Sequence, residues 1–153
     1  MKIQLSPTRV MEGYTTVWYE HGPEVDIVMD LKNLTFAEGS LESLVAFHVL
    51  DHFFENEVQQ AITNWRTCLK NGASAFVVVD DFEYLCRMHV GGDIDVDTFN
   101  KRHAHPIYFT RDNLVKYLMD NGFKGETLKL WYANVPNMFE KKDYEAIVEA
   151  QKL

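Results

Sequence analysis

Hydrophobic and polar positions change period several times along the chain. Residues 2–5 alternate, with Ile3 and Leu5 apolar, and predict a short strand. Ser6-Pro7-Thr8 breaks it, because Pro7 has no amide hydrogen for a ladder. Gly13 closes the loop that follows, and residues 14–19 (YTTVWY) are β-branched and aromatic, the pattern of a second strand. After the Gly22-Pro23 turn, residues 25–29 (VDIVM) predict a third strand ending at Asp30, and residues 41–47 (LESLVAF) a fourth ending at His48. Over residues 55–70 the period becomes helical: Val58, Ala61, Ile62, Trp65, Cys68 and Leu69 share a face, with an acidic start, a basic end and Asn71-Gly72 as a stop.

Residues 73–79 (ASAFVVV) form a continuous apolar run suited to a buried central parallel strand that ends at Asp80-Asp81. Thr110 is a good N-cap with Asn113 three residues on, and Leu114, Tyr117 and Leu118 share one face before Asn121-Gly122. Phe123 is expected to enter the next strand. Residues 126–133 (ETLKLWYA) and 144–150 (YEAIVEA) alternate and predict a closing antiparallel pair.

Strands alternating with crossovers and ending in a hairpin predict a single α/β domain over residues 1–153. Its architecture is a three-layer sandwich around a Rossmann-like, mostly parallel sheet with a C-terminal antiparallel hairpin. Ligands of such sheets bind at the carboxyl ends of the strands. The positions to inspect are therefore Ser6 to Thr8, Trp18 to Glu20, Asp30 and Leu31, His48 to His52, and Asp80 to Phe82. Only residues 6–13 separate the first two strands, fewer than the roughly ten a helical crossover needs, so the first helix is expected to be lost or reduced to a turn.

Charge narrows the choice of partner. The formal net charge of -8 repels phosphate backbones, and the scattered Lys and Arg make no basic stripe, which argues against nucleic acid. Cys68 and Cys86 stand apart without metal-ligand spacing, which predicts a reducing compartment, a core role for Cys68 and no metal site. Asp80 and Asp81 read as loop acids. No apolar run approaches a membrane span and Lys2 begins no leader, so a cytoplasmic protein that does not engage a membrane is expected. Trp65, Phe76 and Phe123 read as core. The segment 102–109 (RHAHPIYF), with His103 and His105, is a long connection over the strand ends and a candidate substrate lid, with a plain surface loop as the alternative.

Taken in order, these segments resemble a compact family of class I S-adenosylmethionine-dependent methyltransferases of the kind associated with sugar and small-metabolite modification. The strongest part is VDIVMDLKNLTFAEGSLESLVAFHVLDHF, residues 25–53; WRTCLKNGASAFVVVDDFE (65–83), FTRDNLVKYLMDNGF (109–123) and IVEAQK (147–152) add to it. The resemblance implies an enzyme using S-adenosylmethionine on a small molecule or sugar, and a cofactor site built from Leu5, Ser6, Trp18, Glu20, Asp30, Leu31 and His48. Asp30 would offer a carboxylate to the adenine amino group and Leu31 a backbone amide to the ring. His48 would stand beside the methyl-transfer centre, with Leu50 to His52 shaping the wall.

His48 and His52 are the candidate catalytic bases, since an acceptor that must lose a proton needs one near neutral pH. The sequence departs from the family pattern at the loop after the first strand, where Leu5-Ser6-Pro7-Thr8 replaces a Gly-x-Gly-type turn. Cβ atoms and a proline ring narrow the cofactor's approach there. Trp18 stands where a strand-two acid is usual, with Glu20 as a substitute. The alternative is a catalytically inactive domain of the same fold acting as a binding or regulatory partner. A dinucleotide-binding domain is disfavoured, because no Gly-x-Gly-x-x-Gly follows any strand. Exposed aromatics such as Tyr132 and Phe139, with an incomplete pocket, suggest a homodimer.

Overall fold

The computed structural model describes residues 1–102, 105–131, 138, 142 and 144–153. Among them, strands β1 (Lys2–Leu5), β2 (Thr15–Trp18), β3 (Ile27–Val28), β4 (Leu41–Phe47), β5 (Leu69–Asp80), β6 (Leu128–Trp131) and β7 (Glu145–Gln151) form one sheet. Its order is β3-β2-β1-β4-β5-β7-β6. Neighbours are parallel from β3 to β5, and β7 runs antiparallel to both β5 and β6. The reversal of strand order at β1 and β4 opens a crevice beyond their carboxyl ends.

β5 is central because its side chains can be buried on both faces: Val77, Val78 and Val79 are all buried, between β4 and β7. Helices α1 (Glu55–Cys68), α2 (Phe82–Gly91), α3 (Val96–Arg102) and α4 (Arg111–Asp120) complete the regular structure. The larger core cluster joins Ile3, Leu5, Val17, Leu44, Val77 and Val79 of the sheet to Val58, Ile62 and Trp65 of α1 and to Leu114 and Leu118 of α4. The smaller cluster joins Val45 and Phe47 of β4, Phe76 and Val78 of β5 and Ile147 of β7 to Met11 of the loop after β1, with Tyr14, Trp131 and Met138 against it. Among the described residues, none of that second cluster comes from a helix. No helix of the described residues is long and apolar enough to cross a membrane.

Several expectations change in detail. β3 is two residues long, because of residues 25–29 only Ile27 and Val28 pair with β2. Asn71-Gly72 does not stop the helix: α1 ends at Cys68, and the pair lies inside β5, where Leu41 opposes Leu69 but Ser43 opposes Ser74. Gly72 takes φ +81°, and its amide donates to the carbonyl of Lys152, so glycine serves an irregularity in the strand. Phe123 packs in the core before a 3-10 turn at Gly125–Thr127, and β6 starts only at Leu128. The connection after β5 carries α2 and α3, which the sequence reading missed. Residues 6–14 contain no helix, in line with their short span. His103, Tyr132 and Phe139 lie outside the described residues.

Candidate active site

β4 ends in a backbone reversal. His48 adopts φ +50°, a conformation uncommon for a residue with a Cβ, while its amide donates to the carbonyl of Val78 on β5. The 3-10 turn Leu50–His52 follows, burying Leu50 and Asp51 and leaving His52 with an exposed edge. The loop after β1 is organised from within the sheet. Gln4 is fully buried, donates to the Arg9 carbonyl and to Thr16 Oγ1 (3.0 Å), and accepts from the Met11 amide (2.7 Å).

These tips border one crevice with three lobes. The first, about 350 Å3, is lined by Trp18, Tyr19, Leu31, Lys32, Val49, His52, Phe53 and Glu57. The second, about 320 Å3, lies between Ser6, Pro7, Thr8, Arg9, Trp18, Phe47, His48 and His52. The third, about 240 Å3, is bounded by Thr8, Arg9, His48, Asp51, His52, Asp80, His105, Lys142 and Tyr144. Trp18 joins the first lobe to the second; His48 joins the second to the third; His52 borders all three.

The floor of the third lobe is strongly polar. His48 Nε2 lies 2.9 Å from Glu145 Oε1, while its Nδ1 lies 3.4 Å from Asp80 Oδ1 and 4.0 Å from Asp51 Oδ2. Glu145 is fully buried, pairs with Arg9 and accepts from the Lys142 amide at 2.9 Å. Burial pushes its carboxyl up, but the His48 hydrogen bond, the Lys142 amide and the Arg9 charge outweigh that and hold it below the usual range. For His52, desolvation by its surroundings pushes the imidazole down, Asp51 opposes this, and His105 adds to it. The rings of His52 and His105 meet edge to face at 4.6 Å. At the rim of the first lobe Lys32 Nζ pairs with Glu57 Oε1 at 2.9 Å, which holds the Glu57 carboxyl low.

Residues 9–77 match a family model described as a methyltransferase domain. Solved structures superpose on most of the chain. An S-adenosylmethionine-dependent methyltransferase from Thermotoga maritima is 14% identical, with 85% of this chain and 65% of that one covered and a TM-score of 0.58. Human N-acetylserotonin methyltransferase, in complex with S-adenosylmethionine, is 11% identical over 92% of this chain and 41% of its own, at a TM-score of 0.60. A Methanosarcina mazei S-adenosylmethionine-dependent methyltransferase is 15% identical over 93% of this chain and 84% of its own, at 0.56. This is a class I methyltransferase fold. The chain thus spans less than two thirds of the length of the first two neighbours, and no curated protein sequence matches it.

Within that methyltransferase fold the expected cofactor residues separate. Ser6, Trp18, Leu31 and His48 line the crevice, as does His52. Leu31 is fixed there by its carbonyl, which accepts from Trp65 Nε1 of α1 at 2.7 Å. Leu5 is fully buried in the core. Glu20 and Asp30 are exposed and line none of the three lobes; the Asp30 carboxylate accepts from the Lys32 amide at 3.0 Å, as a turn acid does. In the loop after β1, Ser6 Oγ accepts from the amides of Thr8 (3.3 Å) and Arg9 (3.0 Å). Pro7 has no amide hydrogen, so the Thr8 and Arg9 amides next to it are turned inward to Ser6. Asp80 is more than a loop acid, because the fold sets it beside His48. Asp81 precedes α2 without a side-chain capping bond, and its carboxylate pairs with Arg111 Nε at 3.0 Å. Arg9 and Glu145 escaped the sequence reading, because they meet each other and His48 only through the tertiary fold; Asp51 and His105 were named there only as parts of the wall and of the candidate lid.

Proposed function

We propose that the crevice binds S-adenosylmethionine and that the chain transfers its methyl group to a small molecule or sugar. The observation that carries this reading is the continuity of the crevice from Trp18 past Ser6 to His48, along the carboxyl ends of β2, β1 and β4. Its volume is in the range of small-molecule sites, and its Trp18–Leu31 end offers an aromatic ring and apolar side chains to an adenosyl group. The polar Ser6–Arg9 end suits the amino-acid portion. When bound, the cofactor supplies an electrophilic methyl group on a sulfonium.

The protein's part is positioning, because displacement at a methyl carbon needs donor and acceptor in line more than it needs covalent help. Ser6, Thr8 and Trp18 hold one side of the crevice, and the 3-10 turn carrying His52 holds the other. His52 is the candidate proton acceptor, since it borders all three lobes and keeps an open edge. His48 is tied to Glu145 and positions the turn. Side-chain contacts must replace the backbone donors that Ser6 occupies, so affinity for the cofactor is expected to be modest and to depend on Trp18.

Incubating the chain with methyl-labelled S-adenosylmethionine and a panel of hydroxyl, amine and sugar acceptors tests this. Labelled product from wild type, lost in His52→Gln while cofactor binding persists, supports the enzyme. Cofactor binding without turnover on any acceptor, or no cofactor binding at all, would leave the inactive binding partner as the better reading.

A further inference from the structure

Glu145 decides how His48 presents its ring. A carboxylate only accepts, so the imidazole nitrogen 2.9 Å away, Nε2, carries the hydrogen. The other nitrogen, Nδ1, faces Asp80 Oδ1 at 3.4 Å and Asp51 Oδ2 at 4.0 Å. Asp51 is 5% exposed at its side chain, and neither of its oxygens has a hydrogen-bond partner. One ligand atom each from His48, Asp51 and Asp80 lies within 4.8 Å of the others. His105 Nε2 stands 3.8 Å from Asp51 Oδ2, too far for a hydrogen bond, so the buried Asp51 carboxylate faces the Asp80 carboxylate and the Nδ1 lone pair of His48 with its acceptor capacity unused.

We infer that His48, Asp51 and Asp80 form a divalent-cation site at the tips of β4 and β5. One imidazole and two carboxylates match a first-row ion such as Mn2+ or Zn2+. Calcium prefers an all-oxygen shell, and softer ions prefer thiolates. Glu145 does what a carboxylate behind a metal-bound histidine does: it fixes the ring and the tautomer and raises the basicity of Nδ1. The uncommon backbone conformation of His48 is consistent with a ring that must be aimed. Three protein ligands leave positions open towards the third lobe. Sequence spacing gives no hint of this, because His48 and Asp80 end different strands. The inference does not depend on methyl transfer, so failure of cofactor binding leaves it standing.

Titration of the chelator-stripped full chain with MnCl2, followed by the electron paramagnetic resonance signal of the free aquo ion and by calorimetry, tests it. The expected result is one saturable site, with binding lost in Asp51→Asn and in Asp80→Asn and weakened about tenfold or more in Glu145→Gln. Both Asn side chains keep the shape of Asp, and Asp51→Asn removes a buried charge that no hydrogen bond satisfies, so both variants are expected to fold without metal, as circular dichroism would report. His21→Ala, on an exposed loop, should bind as wild type does. Failure of the folded wild-type chain to bind Mn2+ or Zn2+ at millimolar concentration overturns the inference, and so does binding that survives both Asp substitutions.

Discussion

Glu145 meets His48 across 97 residues of sequence and Arg9 across 136. No local pattern announces such a trio, whereas the placing of Ser6, Trp18, His48 and His52 beside the crevice was legible, because each sits at or just past a strand end that hydrophobic periodicity defines. Asp30 meets the same positional rule, but it is exposed, lines none of the three lobes, and its carboxylate accepts from the Lys32 amide. Arg9 neutralises a fully buried carboxylate, so Arg9→Met is expected to lower unfolding free energy by roughly 1–3 kcal/mol in urea melts, the usual result of leaving a buried acceptor short of a donor. Burial pushes the Cys68 thiol above its ordinary value of 9.0, and its Sγ faces the carbonyls of Leu34 and Phe36. A thiol raised on folding keeps its proton longer in the native chain than in the unfolded one. Its contribution to stability is therefore complete below that ordinary value and declines as pH rises through it towards the raised one. In the native protein at neutral pH, iodoacetamide should label half-exposed Cys86 and spare Cys68, with both labelled in denaturant, as mass spectrometry of digests would show.

Among elements, those with one strong period were read correctly. β1 and β4 match their expected bounds, and α1 and α4 carry clear apolar faces. α2 was missed because Leu85 alone among its residues is fully buried, which leaves too little pattern to separate a helix from a loop. Asn71-Gly72 misled because a left-handed glycine serves a helix end and an irregular strand equally well, and only the partner strand distinguishes them. Thr110 illustrates the opposite case: it accepts from the Asn113 amide at 3.3 Å, while Asn113 Oδ1 accepts from the Thr110 amide at 2.8 Å. Thr110→Ala is therefore expected to cost about 1 kcal/mol, read as a fall in Tm without loss of secondary structure in circular dichroism. Gly72→Ala forces a Cβ into φ +81°, although nothing lies within 4 Å of it. A loss of about 1 kcal/mol is expected from backbone strain alone, and Gly72→Asn should recover part of it.

At the scale of the whole molecule, the sheet order and the antiparallel β7 bring four strand ends to one rim, and the crevice follows from that topology more than from any single motif. The short link between β1 and β2 contains no helix and turns the Thr8 and Arg9 amides to Ser6, so in the proposed reading recognition of the cofactor falls to side chains, above all to Trp18, which the first two lobes share. Calorimetric titration of S-adenosylhomocysteine into the wild-type chain, Trp18→Ala and Asp30→Ala tests that most directly. The account predicts saturable binding that weakens about tenfold or more in Trp18→Ala, by the loss of a large aromatic contact, and changes little in Asp30→Ala. Heat of binding that is absent from the wild-type chain, or that depends on Asp30 and ignores Trp18, would contradict it.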